Sequence, residues 1–177
     1  MIDLNITKLL DYDPKTGIFV WLTRPVRSVY ERTDHTWNTR YAGKLAGCVV
    51  RWGDRLRYLS ICINGKRYQA HRLAYLYMTG EFPPDQIDHK DCNGLNNRWS
   101  NLRRANASQN GGNSGIRVNN TSGFKGVSFD KSRRRYIAHI RVYGNLKYLG
   151  RFDTPKAAHI AYVEAAKKHF GEFSRIA

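Results

Sequence analysis

Residues 87–110 read Ile87-Asp88-His89-Lys90-Asp91-Cys92-Asn93-Gly94-Leu95-Asn96-Asn97-Arg98-Trp99-Ser100-Asn101-Leu102-Arg103-Arg104-Ala105-Asn106-Ala107-Ser108-Gln109-Asn110. A carboxylate stands beside an imidazole at the end of a short apolar strand, and several amides follow within a basic neighbourhood. That combination can hydrolyse phosphate esters. Asp88 supplies hard oxygen donors for a divalent cation, and neighbouring side chains on a strand point to opposite faces, so His89 can address a water molecule instead.

An Asp-His pair alone is weak evidence, because such pairs also serve as salt bridges or turn residues. The longer pattern D-H-x(11)-N-L-R-x(6)-N, preceded by His71-Arg72-Leu73, resembles the HNH family of nucleases, especially the phage-encoded homing type. The resemblance covers roughly residues 12–112. It implies a beta-beta-alpha-metal core: a strand ending at His89, a long loop, a strand near 101–104 and a short helix carrying Asn110. Position by position, His89 matches the general base, Asp88 and Asn110 match the two protein ligands of one divalent metal, and Asn101 matches the amide that fixes the loop and orients the histidine. Asn110 stands where many relatives have histidine, and its neutral carbonyl oxygen suits magnesium or manganese. His71 and Arg72 are supporting residues, His71 as a packed histidine at a helix start. Asn93-Gly94 reads as loop chemistry, and Asn96 and Asn97 as caps bonding the loop backbone.

Upstream, Asp13-Pro14-Lys15-Thr16-Gly17 is a turn before the strand-like Ile18-Phe19-Val20-Trp21. Asn64-Gly65 between two alternating runs is a strong hairpin signal, since both residues tolerate positive φ. A helix is expected from about His71 to Thr79, stopped by Gly80. Residues 24–54 are basic and irregular and receive no assignment.

Thirty Lys plus Arg against fourteen Asp plus Glu leave a formal charge of +16, which points to a polyanionic partner. Double-stranded DNA is the expected one. No run of eighteen apolar residues and no broad basic amphipathic helix argues for a membrane, and the opening Met1-Ile2-Asp3-Leu4 lacks the basic start of a signal peptide. A cytoplasmic location, in a phage-infected bacterial host, is the expectation. Cys48, Cys62 and Cys92 are widely spaced with no C-x-x-C pair, so neither zinc nor a disulfide framework is expected.

The turn-forming stretch from Asn110-Gly111-Gly112 to Thr121-Ser122-Gly123 suggests a linker. The expected division is a nuclease domain at 1–110, a linker at 111–122 and a second domain at 123–177. Residues 1–123 and 124–177 each carry a net +8, so the shorter second part is the denser cation. Three short strands are expected there, separated by turns at Asp130-Lys131-Ser132 and Tyr143-Gly144-Asn145. Thr154-Pro155 then opens a helix, with Thr as N-cap and Pro at the first helical position. Ala158, Ala161, Tyr162, Ala165 and Ala166 form a slim stripe that lets the helix lie close to the sheet. Alternation puts Ile137, His139 and Arg141 on the exposed face and Tyr136, Ala138 and Ile140 on the other. The expected fold class is thus α+β, a beta-beta-alpha-metal nuclease domain plus a three-stranded antiparallel sheet packed on one helix.

Gly126-Val127, Tyr136-Ile137-Ala138-His139-Ile140-Arg141, Tyr148-Leu149-Gly150-Arg151-Phe152 and the alanine-rich helix at 157–166 resemble the Apetala, or plant ethylene-response-factor, DNA-binding domain over about residues 122–175. That resemblance implies DNA contacts from Lys125, Ser128, His139, Arg141, Tyr148 and Arg151. His139 replaces the usual glutamate and Ser128 the usual arginine. Arg133, Arg134 and Arg135 are either a solvated turn or phosphate contacts, the latter being the reading adopted.

The leading expectation is a metal-dependent DNA endonuclease of the homing type. A restriction or defence nuclease would share the same chemistry; a non-catalytic DNA-binding regulator and an RNA-binding protein are the alternatives from other classes. A single HNH centre cuts one strand, so a monomer or a homodimer is expected.

Overall fold

The computed structural model describes residues 5–25, 32–52 and 56–176. The opening four residues, and 26–31 and 53–55 of the unassigned stretch, lie outside the described residues. The chain divides into two compact units, Met1–Arg104 and Ala105–Ala177. No described helix is long and apolar enough to cross a membrane.

In the first unit a 3-10 turn at Ile6–Lys8 leads into β1 (Leu10–Asp13), which pairs antiparallel with β2 (Ile18–Trp21). The connecting turn closes as its residues dictate: the Asp13 carboxylate accepts from the Lys15 backbone N–H at 2.9 Å and from Thr16 Oγ1 at 2.7 Å. Gly17 sits at φ +76, against the backbone of Asn97 and Arg98. The Trp99 N–H donates to Pro14 O at 2.9 Å, so this turn buttresses the loop that follows Asp88-His89.

Part of the unassigned stretch folds as α1 (Arg32–Tyr41) and β3 (Cys48–Trp52). With β4 (Leu56–Ile63) and β5 (Lys66–Gln69), β3 makes a three-stranded antiparallel sheet in the order β3-β4-β5. Asn64 and Gly65 at the β4-β5 corner adopt φ +50 and +76, as the Asn-Gly signal requires. Helix α2 (Ala70–Thr79) starts one residue earlier than expected, and Gly80 ends it at φ +78. It buries Leu73 and Ala74 with Ile61, Ile63, Leu10 and Phe19. β6 (Gln86–His89) and β7 (Leu102–Ala105) form a two-stranded sheet.

In the second unit α3 (Ala107–Asn113) begins with a reciprocal cap, in which the Gln109 N–H donates to Asn106 Oδ1 and the Asn106 N–H to Gln109 Oε1, both at 2.9 Å. The helix bearing Asn110, expected in the nuclease part, counts with this unit. The reason is packing: a Cβ on Gly112 would strike the Phe170 ring, and Lys125 Nζ donates to Gly112 O at 2.6 Å. The stretch expected as linker is likewise tied down, because Asn120 Nδ2 donates to Phe124 O at 2.8 Å and Ser122 Oγ to Val127 O at 2.9 Å.

β8 (Val127–Asp130), β9 (Arg135–Val142) and β10 (Asn145–Phe152) then form an antiparallel sheet in the order β10-β9-β8. α4 (Pro155–Phe170) covers one face, capped by the Ala157 N–H to Thr154 Oγ1 bond at 3.1 Å. Val127, Ala138 and Ala158 make one cluster of this core; Ile140, Val142, Tyr162, Ala166 and Phe170 belong to another. The small residues of the helical stripe permit the close approach.

The tightest approach is at Gly126, whose φ is +73 and where an added Cβ would run into the Tyr162 ring. Gly126→Ala is expected to destabilise the second unit by about 2–4 kcal/mol, combining left-handed strain with overpacking. Gly144→Ala, at φ +82 with open space around it, should cost only about 1 kcal/mol. Chemical denaturation of the two variants checks the contrast; equal losses would mean that the Tyr162 contact is slack.

Candidate active site and nucleic-acid face

Asp88 and His89 end β6, and the pleat sends them different ways. Asp88, 4% exposed, accepts from Arg103 Nε of β7 at 2.9 Å. His89, 5% exposed, reaches Asn97, its Nε2 lying 3.3 Å from Asn97 Oδ1. Asn97 is itself 1% exposed. Its Nδ2 donates to Leu95 O at 3.2 Å, and its backbone carbonyl accepts from the Tyr12 hydroxyl at 2.7 Å. With the amide nitrogen committed to Leu95, the amide oxygen faces the imidazole, an arrangement that suits a hydrogen on Nε2.

The ring is also boxed in by two aromatic neighbours. His71, from the first turn of α2, stands edge-to-face with it at 4.9 Å, and Tyr58 of β4 packs 5.6 Å from His71 and 6.0 Å from His89. Burial, assisted by the charges of His89 and Arg72, pushes the His71 imidazole down to about 3. Burial also lowers His89, against the opposing pull of the Asn97 hydrogen bond and of Asp91 and Asp88. Burial thus favours the neutral form of the His89 ring.

Asn101 stitches the loop. Its Nδ2 donates to Asp91 Oδ1 at 2.9 Å and to Asn96 O at 2.8 Å, while its Oδ1 accepts from the Asp91 N–H at 3.2 Å. Asn96 Nδ2 holds the other Asp91 oxygen at 2.7 Å. Gly94 lets this loop press on Tyr58 and the Arg57 carbonyl, where a Cβ would not fit. Arg72 braces the segment after α2, since its guanidinium lies over Phe82 at 4.9 Å and donates to Pro83 O and Asp85 O, both at 2.9 Å.

Burial would raise the Asp91 carboxyl, but the hydrogen bonds from Asn93, Asn96 and Asn101 outweigh it and hold it below its usual value. A depressed carboxylate stabilises the fold above its unfolded pKa, and that contribution disappears as pH falls through the folded value. The melting advantage of the wild type over Asp91→Asn should therefore be complete at about pH 6 and shrink below about pH 4. A melting difference that stays constant through that range would contradict this account of the loop.

Asp88 offers oxygen donors suited to a hard divalent ion, and Asn110 lies on α3 of the second unit. Among the described residues no group of three or more His, Cys, Asp and Glu stands together.

A buried Asp-His strand end, an asparagine-stitched loop and a following strand sit within one continuous segment. Residues 68–111 match the HNH endonuclease family. A curated relative, an uncharacterised HNH endonuclease of Acanthamoeba polyphaga mimivirus, is 36% identical over 110 residues, which is 61% of this chain and 56% of the relative. The chain therefore spans little more than half of that protein's length. No solved structure matches significantly. The HNH segment contains Asp88, His89, Asn101 and Asn110, together with His71 and Arg72. Sequence reasoning gave Asn97 only a loop-capping role and overlooked Tyr12, Tyr58 and Arg103. The doubled Asn96-Asn97 was the available signal for the first.

In the second unit, register places Ser128, His139, Arg141, Tyr148 and Arg151 on one face, away from α4. Ser128, Ile137 and Arg151 form one row, His139 and Tyr148 the next, Arg141 and Leu146 the third. Tyr148 is 62% exposed. Three arginines are engaged with carboxylates: Arg133 and Arg151 approach Asp130 at 3.8 and 3.5 Å, and Arg135 pairs with Asp153 at 2.9 Å. Arg134 holds the β8-β9 turn at φ +53. Lys125 lies apart from this face; at 9% exposure, its ammonium donates to the carbonyls of Gly112 and Arg175.

Proposed function

We propose that this chain is a metal-dependent endonuclease of the homing type that hydrolyses phosphodiester bonds in duplex DNA, in the cytoplasm of a phage-infected bacterial host. The observation that carries the reading is the buried His89, whose Nε2 meets Asn97 beside Asp88, within a segment that matches HNH endonucleases. His89 takes a proton from the attacking water, and the resulting imidazolium is stabilised by Asp88 and Asp91. Arg103 fixes the Asp88 carboxylate. Asp88 and Asn110 would hold one magnesium or manganese ion, which when bound supplies charge stabilisation at the scissile phosphate and the departing 3′ oxygen. Asn101 keeps the loop that carries Asn97 in shape.

The second unit supplies target preference in this reading, as an Apetala-like module. Its sheet offers Ser128, His139, Arg141, Tyr148 and Arg151 on one face, a layout suited to a major groove in which arginine can fork onto guanine edges. Arg133, Arg134 and Arg135 are assigned to phosphates at the edge of that face.

The test is incubation of supercoiled plasmid with the full chain and magnesium or manganese, with EDTA as control. Nicked or linear product that vanishes with EDTA supports the reading. Duplex binding without cleavage under either metal would make the protein a regulator, and cleavage that survives chelation would remove the metal from the mechanism.

A further inference from the structure

A groove of about 920 Å³ in the second unit runs between α3, the segment after it, and the strands β8 and β9. Its wall carries Arg117, Lys125, His139 and Arg141, with amides and hydroxyls such as Asn119 and Ser128, and not one lining residue is Asp or Glu. The Arg117 guanidinium makes no hydrogen bond or ion pair among the described residues, and Arg141 donates to a neutral carbonyl, that of Gly144, at 2.8 Å. At the other end of the sheet the arginines already face Asp130 and Asp153. The field of this unit therefore favours anions at the groove, because carboxylates offset the cations elsewhere on the sheet. His139 feels that field: after burial, the charges of Arg141 and Arg117 lower its imidazole.

We propose that this groove holds the sugar-phosphate backbone of one strand of the bound duplex, with Arg117 as a phosphate-contacting residue. The inference rests on the DNA-binding reading and extends the interface to a segment that resembled a bare linker. Ser128, His139 and Arg141 belong both to the groove wall and to the sheet face, so a backbone held in the groove sets the register in which that face meets base edges.

The experiment measures affinity of the full chain for a short duplex by fluorescence anisotropy over a range of salt concentrations. Each lost phosphate contact flattens the log-log salt slope by about 0.9. Arg117→Ala is expected to flatten it by that amount and to weaken cognate and random duplexes by the same factor. Arg117→Lys should retain most of the slope, and Lys168→Ala, on the exposed side of α4, should leave it unchanged. An Arg117→Ala slope equal to that of the wild type, in a protein that binds duplex, overturns the groove and leaves the DNA reading standing. A wild type without duplex affinity overturns both. Tighter binding of a structured RNA hairpin than of duplex DNA, lost in Arg117→Ala, assigns the groove to RNA and overturns the proposed occupant.

Discussion

Alanine at position 89 is expected to lower single-turnover DNA cleavage by ~100 to 10,000-fold, the usual contribution of a positioned general base. Duplex affinity should stay close to that of the wild type, because the ring is almost wholly enclosed by Tyr58, His71 and Asn97 and exposes little surface to a ligand. The substitution also strips Asn97 Oδ1 of its partner and opens a cavity, so a disturbed loop would add to the loss. His89→Gln separates the two effects: an amide nitrogen can still donate to Asn97, but glutamine is no base near neutral pH. Both variants should be equally inactive, and the glutamine variant should melt closer to the wild type. Cleavage by either at the wild-type rate would mean that some other group activates the water.

The second large effect is expected at Asn97. Replacing it with alanine removes the acceptor that faces His89 Nε2, while the Leu95 carbonyl keeps the backbone N–H of residue 97 as a donor. Turnover should fall by about 10–100-fold, as is typical when a partner orienting a functional histidine is lost. The Michaelis constant for DNA should change little. Nitrogen-15 spectra of the histidines should show His89 as one tautomer in the wild type and as a mixture in Asn97→Ala. Stability should drop by about 1–3 kcal/mol from the buried imidazole left without its amide partner. A purely structural role would lower the melting point and leave the tautomer signature and the turnover of the folded fraction untouched.

Much of the local structure was legible in the chain. Asn64-Gly65, Asp13 to Gly17 and Thr154-Pro155 each satisfy backbone groups within a few residues, so their geometry depends little on distant partners, and each formed where it was expected. The outward face of β9 was equally readable, since alternation on a half-buried strand follows from the pleat alone. Residues 24–54 gave no such signal. Helix α1 has few apolar residues from which a stripe could be read, and β3 exists through its pairing with β4. Partners remote in sequence stabilise these elements, and no periodicity announces them.

The candidate site divides along the same line. Asp88, His89, Asn101 and Asn110 were singled out through the resemblance of the D-H-x(11)-N-L-R-x(6)-N pattern to HNH nucleases, which fixes residue types at set intervals along the chain. Which amide touches the imidazole was decided by the tertiary structure. Tyr12, 85 positions from Asn97, anchors that residue's carbonyl, and the turn at Gly17 backs the same peptide. The two asparagines at 96 and 97 are chemically identical, and only packing from the far end of the unit puts one inside against His89 and leaves the other outside on Asp91.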